Sequence, residues 1–110
     1  MPSAKTELLA GTLEMLVLKT LTVGPMHGYG IAQHLGRVSG DALRFEEGTL
    51  YPALQRMRQK GWIKAEWKQT PNNQRARYYT LTAAGRTRLG VAESTFEQML
   101  AVIARVMRAV

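Results

Sequence analysis

The sequence predicts a mainly α-helical protein with one small β-hairpin, on the strength of three observations. Apolar residues recur at helical spacing in four separate segments. Only the stretch from about residue 62 to residue 82 shows the alternation and turn residues of paired strands. The length of 110 residues and the 45% hydrophobic content suit one domain with a single hydrophobic core.

The first helix is predicted from about residue 5 to residue 22. Its apolar stripe is formed by Leu9, Leu13, Leu16 and Val17. Leu8, Leu18 and Leu21 widen this stripe, so the helix is apolar on more than one side. Such a helix needs a cover beyond its own domain, for which a second subunit is a candidate.

A second, short helix is predicted to start near Met26 or His27 and to end at Gly36 or Gly40. The segment VGPMHGYG separates it from the first helix, because glycine and proline interrupt helical structure. The two helices are therefore joined by a tight connection.

The third helix is predicted from about residue 47 to residue 60. Its core-facing residues are Leu50, Leu54 and Met57. Pro52 is compatible with this helix because it lies near the first turn, where backbone N–H groups lack helical partners. Gly61 is expected to end the helix as a C-cap residue.

The segment WIKAEWK predicts a strand with one face in the core, formed by Ile63, Ala65 and Trp67. Trp62 is expected on the opposite face near the helix end, so both tryptophans are interpreted as structural. The turn-forming segment QTPNNQ follows, and RARYYTLT completes a hairpin. In a regular second strand, two arginines would share a face with Tyr79 and Leu81, and a bulge would relieve that conflict.

The last helix is predicted from about residue 83 to the C-terminus, with Thr82 as its N-cap. Its apolar residues at 89, 96, 103 and 110 recur every seven positions, as in a helix that pairs with another helix. One alternative is an ordinary core-facing helix. We favour a dimerisation helix packed on the first helix, with the seam formed by Leu89, Phe96, Met99, Leu100, Ile103 and Val106. Residues 1–82 then form one unit and residues 83–110 the other.

The positive charge is concentrated in the middle of the chain. The net charge is +7 and the pI is about 10.3. Between Arg44 and Arg88 there are ten Lys or Arg and three acidic residues, whereas the remaining segments balance. This asymmetry indicates a polyanionic partner, with nucleic acid ahead of a membrane surface, although a basic face that only confers solubility would show the same pattern.

Several function classes are disfavoured. The chain has no cysteine, which excludes thiolate chemistry and cysteine-based zinc sites. With two histidines, and no acids that pair into an acid–base constellation, we expect neither an enzyme nor a metal or other cofactor site. No signal peptide and no apolar run long enough to cross a membrane is seen, so a cytoplasmic protein without membrane attachment is expected.

The order helix, helix, helix, hairpin, helix is that of a winged helix-turn-helix protein with an added C-terminal helix. In this fold the third helix enters the major groove of double-stranded DNA, and the hairpin, or wing, contacts phosphate or the minor groove. The candidate DNA-binding residues are Thr49, Tyr51, Gln55 and Arg56 on the third helix, and Asn73, Arg75 and Arg77 on the wing. For Tyr51 the alternative is a ring packed between the helix and the wing.

Three motifs, HGYGI, GTLYPALQRMRQKGWI and RARYYTLTAAGRTRL, resemble those of the PadR family of bacterial transcriptional regulators. The resemblance extends from about residue 5 to the C-terminus. It implies a homodimeric repressor on a palindromic operator, released by an effector, with the C-terminal helix packed on the first helix. The single short final helix resembles the compact subgroup. Some relatives stack aromatic drugs on a tryptophan in that helix, which this chain lacks.

His27 and Tyr29 match the family's second-helix motif. A helix N-terminus favours phosphate through its free N–H groups and its dipole, so both side chains are candidate DNA contacts. For Tyr29 the alternative is packing under the third helix. The function predicted is a sequence-specific transcriptional regulator, and the alternative is a non-regulatory winged-helix adaptor or architectural DNA-binding protein.

Overall fold

The computed structural model describes residues 11–109, which form four helices and one three-stranded antiparallel sheet. The helices are α1 (Thr12–Leu21), α2 (Gly28–Val38), α3 (Glu47–Gln59) and α4 (Ala83–Arg108). The strands are β1 (Met26–His27), β2 (Ile63–Gln69) and β3 (Arg75–Leu81), in the spatial order β1-β3-β2. This confirms the predicted fold class. Some predicted features lie outside the described residues: the start of the first helix near residue 5, and the side chains of Leu8, Leu9 and Val110.

The core lies between α1, α2, α3 and the base of the sheet. Leu50, Leu54 and Met57 are all buried, so the predicted core-facing stripe of α3 is confirmed. The other elements contribute Val17, Leu18, Leu21, Ile31, Leu35, Phe45, Ile63, Tyr79, Leu81 and Leu89. Burial of these side chains, worth about 1.5–3 kcal/mol for each large aliphatic or aromatic residue, is what orients α3.

The strand β1 was not predicted. Met26 pairs with Tyr79 and His27 with Tyr78, so the hairpin gains a third strand at its β3 edge. Two residues are too few to show an alternating pattern. The helix α2 accordingly begins at Gly28, because His27 acts as its N-cap and accepts a hydrogen bond at Nδ1 from the N–H of Gly30 (2.9 Å).

Pro52 lies in the second turn of α3, past the residues whose N–H groups lack helical partners. It is the sixth residue of the helix, so the carbonyl of Gly48 loses its helical donor. Gly48 is exposed, and water can satisfy that carbonyl. The helix ends as predicted at Gly61, whose φ of 77° lets the N–H of Trp62 bond back to the carbonyl of Met57 (3.0 Å).

The hairpin contains no bulge, so the parity conflict noted in the sequence is resolved in another way. Its register runs unbroken from Ile63 with Leu81 to Gln69 with Arg75. The expected conflict disappears because this face is buried only at its base, where Ile63 and Tyr79 join the core, and is exposed towards the tip. The placement of Trp67 in the core was also wrong, since this side chain is 58% exposed.

A short network joins α4 to the turn between α3 and β2. Thr82 is the predicted N-cap: its hydroxyl accepts from the N–H of Gly85 (3.0 Å) and donates to the carbonyl of Gly61 (2.7 Å). The N–H of Thr82 donates to the carbonyl of Trp62 (3.1 Å). A Cβ at Gly85 would overlap that same carbonyl oxygen, so only glycine allows this close approach.

The helix α4 packs on α1 through its first half and extends beyond it. Leu89 belongs to the core of its own chain, which corrects its assignment to a subunit interface. Phe96 is half-buried between two shallow grooves that α1 forms with α4. Beyond Phe96 the predicted seam residues are exposed: Met99, Leu100, Ile103 and Val106.

Candidate nucleic-acid interface

The outward face of α3 carries the predicted base-contacting residues. Thr49, Tyr51, Gln55 and Arg56 are all exposed. With the buried stripe of α3 fixed against the core, Gln55 points away from the protein. Tyr51 and Arg56 lie on opposite flanks of this face: Tyr51 contacts α2, and Arg56 contacts α1.

Tyr51 occupies the flank that faces the wing. Its phenol ring lies on Gly28, the first residue of α2, and 39% of the residue remains exposed. Partial burial raises the pKa of the Tyr51 phenol above its ordinary value of 10.0, and the nearby Glu47 and Tyr79 raise it further. The phenol is therefore a neutral hydrogen-bond donor at physiological pH, held against the first residue of α2 and partly exposed.

Arg56 occupies the opposite flank, where it meets α1. Its Nε lies 3.7 Å from Oε2 of Glu14, whose side chain is only 16% exposed. Sequence reasoning missed this partner, since the two residues are far apart in the chain. The ion pair partly neutralises Arg56 and holds it towards α1.

The N-terminus of α2 brings His27 and Tyr29 to the same side as Tyr51. The His27 ring stacks with Tyr29 at a centroid distance of 6.4 Å and meets the edge of Tyr78 at 5.3 Å. Tyr29 is exposed and does not pack under α3, so that alternative was wrong. Its hydroxyl accepts a hydrogen bond from Nε2 of Gln33 (3.2 Å). The Nδ1 of His27 is occupied by its capping bond to Gly30.

The tip of the wing is a tight turn closed by Asn73. This residue has a φ of 64°, which asparagine tolerates better than most side chains. Its N–H donates to the carbonyl of Thr70 (2.9 Å), and its Oδ1 accepts from Nε2 of Gln69 (2.6 Å). The side chain of Asn73 thus shapes the tip.

A cleft of about 760 Å³ separates the wing from α2 and α3. Arg75 and Arg77 lie on its wing side, and no acidic residue of the described chain lines it. Its other wall is formed by His27, Gly28, Tyr29 and Tyr51. Aromatic groups, two guanidinium groups and a helix N-terminus on one concave surface match the chemistry of a sugar-phosphate strand.

Trp67 also lines this cleft and was not among the predicted site residues. Its ring centroid lies 5.6 Å from Cζ of Arg75 and 6.0 Å from Cζ of Arg77. The alternating pattern of β2 assigned Trp67 to the core face. The side chain is exposed because the core covers only the base of the hairpin and ends before Trp67.

Within residues 11–109, no cluster of three or more His, Asp or Glu side chains forms a metal site. The ring of His34 contacts Arg37 instead, with 3.4 Å between Nδ1 and Nη2. Over the same range, no helix combines the length and hydropathy needed to cross a bilayer.

Solved structures of transcriptional regulators share this architecture over nearly the whole chain. A transcriptional regulator from Clostridium thermocellum has 25% sequence identity and a TM-score of 0.80, with 86% of this chain and 92% of that one covered. A PadR family transcriptional regulator from Eggerthella lenta has 27% identity and a TM-score of 0.80, with 91% and 85% covered.

The sequence is also similar to proteins without an assigned function. An uncharacterised protein from Lysinibacillus sphaericus is 25% identical over 85 residues, which cover 77% of this chain and 78% of that protein. An uncharacterised 37.1 kDa protein in transposon Tn4556 of Streptomyces fradiae is 40% identical over 73 residues, but these cover only 19% of its length. Residues 17–91 match the model of the transcriptional regulator PadR-like family. This match spans all the elements from the middle of α1 to the start of α4, and the chain belongs to the PadR-like family of transcriptional regulators.

Proposed function

We propose that this protein is a sequence-specific DNA-binding repressor that acts as a homodimer on a palindromic operator in the cytoplasm. The observation that carries the proposal is the common surface formed by the outward face of α3 and the basic cleft of the wing. In a winged helix these two parts meet adjacent grooves, with the sugar-phosphate backbone between them.

In this arrangement α3 lies in the major groove. Thr49 and Gln55 offer donors and acceptors to base edges, and the neutral phenol of Tyr51 adds a donor beside the cleft. Arg56 is better placed to orient α3 through Glu14 than to contact a base. The N-terminus of α2, with Tyr29 exposed beside it, faces a phosphate.

Arg75 and Arg77 on the wing supply charge to the backbone or the minor groove. Asn73 keeps the tip in the shape that presents them. Contacts of this kind position a protein on DNA without reading its sequence. The specificity would therefore reside in α3, and the wing would add affinity.

The homodimer is supported by the apolar surface that α4 leaves exposed. Met99, Leu100, Ile103 and Val106 are between 44% and 61% exposed and lie on one side of the helix. An exposed apolar stripe of this length is typical of a protein–protein contact. A two-fold axis through this stripe would relate two copies of α3, and a palindromic site mirrors that symmetry.

Effector release would act most directly at the grooves on either side of Phe96. They measure about 220 and 280 Å³, and both are bounded by α1 and α4. A small apolar molecule bound there would lie beside the proposed subunit contact. It would therefore alter the distance between the two DNA-binding units.

A salt titration tests the proposal. The probes are the duplex upstream of the protein's own gene and a scrambled duplex of equal composition. A regulator of its own gene is expected to bind the first about 10³-fold more tightly. An architectural protein or an adaptor would show no such preference, and the affinities for both duplexes would fall together as salt rises.

The wing is tested with Arg75→Ala combined with Arg77→Ala. We expect weaker binding of both duplexes by a similar factor, because phosphate contacts carry no sequence information. The matched control is Lys64→Ala, which removes a cation from the other face of β2. A loss confined to the specific duplex would contradict the role assigned to the wing.

A further inference from the structure

Trp67 is a large aromatic side chain in an unusual place. It lies on β2 directly opposite Arg77, at a level of the hairpin that no other element of the described chain covers. An exposed tryptophan gains little from the hydrophobic effect, so packing does not explain it. Trp62 provides the contrast, since it is half-buried against the core.

The neighbours of Trp67 are two cations. Arg77 is its cross-strand partner, and Arg75 is the next residue on the same face of β3. Both guanidinium groups lie within about 6 Å of the indole centroid, the range of a cation–π interaction. The Nε of Arg77 is buried without a hydrogen-bond partner, which shows how closely this side chain lies against the wing.

The indole holds these cations without cancelling their charge. No carboxylate of the described residues pairs with Arg75 or Arg77. Elsewhere the chain uses both kinds of contact: Lys68, on the other face of the wing, lies 3.4 Å from Glu66, whereas Lys60 and Arg88 lie over the ring of Trp62. A salt bridge would fix an arginine but would compete with phosphate, whereas an aromatic ring leaves the full charge available.

We infer that Trp67 is a positioning residue for DNA binding. Its indole holds the guanidinium groups of Arg75 and Arg77 on the wall of the cleft, oriented towards the phosphates of the strand that lies between the wing and α3. The ordering of two long side chains before binding lowers the entropy that binding would otherwise cost. The inference rests on the DNA binding proposed above.

The experiment compares Trp67→Leu with Trp67→Phe on the scrambled duplex at low salt. Loss of two exposed cation–π contacts is expected to weaken binding roughly five- to thirtyfold in the leucine variant. The phenylalanine variant retains an aromatic face, and we expect it to recover most of that loss. The slope of log affinity against log salt should fall by about one to two in the leucine variant, since up to two phosphate contacts weaken.

A double-mutant cycle decides between this role and a structural one. In a background of Arg75→Ala with Arg77→Ala, Trp67→Leu should cause no further loss. An equal loss in both backgrounds would overturn the inference, because Trp67 would then act through the fold or through its own contact with DNA. Weaker binding of Trp67→Leu with an unchanged salt slope would overturn it as well, in favour of direct stacking on DNA.

Two controls complete the design. Trp62→Phe leaves Trp67 as the only tryptophan, and its fluorescence should change on addition of DNA while affinity is retained. The unfolding temperature of Trp67→Leu should stay close to that of the wild type, because the side chain is largely exposed. If the wild-type protein itself binds neither duplex, the proposed function fails; if it binds and Trp67→Leu binds equally well, only this inference fails.

Discussion

The phenol ring of Tyr51 rests on the backbone of Gly28, so that a Cβ at position 28 would lie 2.6 Å from the phenol oxygen. This contact joins the N-terminal ends of α2 and α3. It also holds the ring at the edge of the cleft that separates α3 from the wing, the two parts that we assign to adjacent grooves of DNA.

Gly28→Ala is expected to push the Tyr51 ring out of this position. Affinity for the specific duplex should fall about tenfold, the equivalent of about 1.4 kcal/mol, while affinity for the scrambled duplex changes little. The control is Gly90→Ala, since position 90 is exposed and open to a methyl group. Equal affinities of wild type and Gly28→Ala for the specific duplex would argue against any role of the Tyr51 position in recognition.

The raised pKa of Tyr51 predicts a dependence on alkaline pH. Burial favours the neutral phenol in the folded state, so its contribution to stability is complete below pH 10.0 and is lost as pH rises through the folded-state value. The free energy of unfolding should therefore fall less steeply above pH 10 in Tyr51→Phe than in the wild type. Phenolate absorbance, taken as the difference between the two proteins, should appear above pH 10; its appearance below pH 10 would contradict the assignment.

Gly85→Ala is expected to destabilise the fold. The added methyl group would overlap the carbonyl oxygen of Trp62, which already accepts a hydrogen bond from Thr82, and this backbone group cannot rotate away. We expect a loss of about 1–3 kcal/mol in the free energy of unfolding, measured with urea. Gly90→Ala, in the same helix but in open space, should instead be neutral or stabilise by up to about 1 kcal/mol.

If the proposed dimer forms through this stripe, Ile103→Asp combined with Val106→Asp is expected to leave the protein monomeric. Both side chains are exposed in the single chain, so carboxylates there leave the fold intact but would be buried in a subunit contact. Sedimentation velocity measures the outcome. Gln98→Asp adds a carboxylate on the opposite side of α4 and should leave the mass unchanged. A dimer that persists in the double variant would exclude this stripe as the contact.

The elements that depend on long apolar repeats were predictable from the sequence. The stripe of α3 from Leu50 to Met57 and the N-cap at Thr82 agree with the structure, because helical periodicity and capping are local properties. The strand β1 escaped prediction because its two residues are extended only through pairing with β3. Leu89 fitted a seven-residue repeat, yet its burial in its own core depends on how α1 approaches α4.

The candidate site was predictable in its residue types but not in its partners. The basic third helix and wing were evident from charge, and the exposure of Thr49, Gln55 and Tyr51 agrees with their predicted placement on the surface. The pairing of Arg56 with Glu14 could not be predicted, because it depends on the packing of α1 beside α3. The exposure of Trp67 required knowledge of where the core ends along the hairpin, which an alternating pattern does not contain.

The network of Thr82, Gly85 and the Trp62 carbonyl fixes one end of the long helix α4, so a small rotation at that end becomes a large displacement at the other. At its N-terminal end the helix is fastened to the turn between α3 and β2, and its 26 residues span about 39 Å. A rotation of about 5° at this joint moves the far end by about 3 Å over such a length. Operator half-sites are separated by about 34 Å, so in the proposed dimer a small change of angle between the two copies of α4 would put one copy of α3 out of register with its groove.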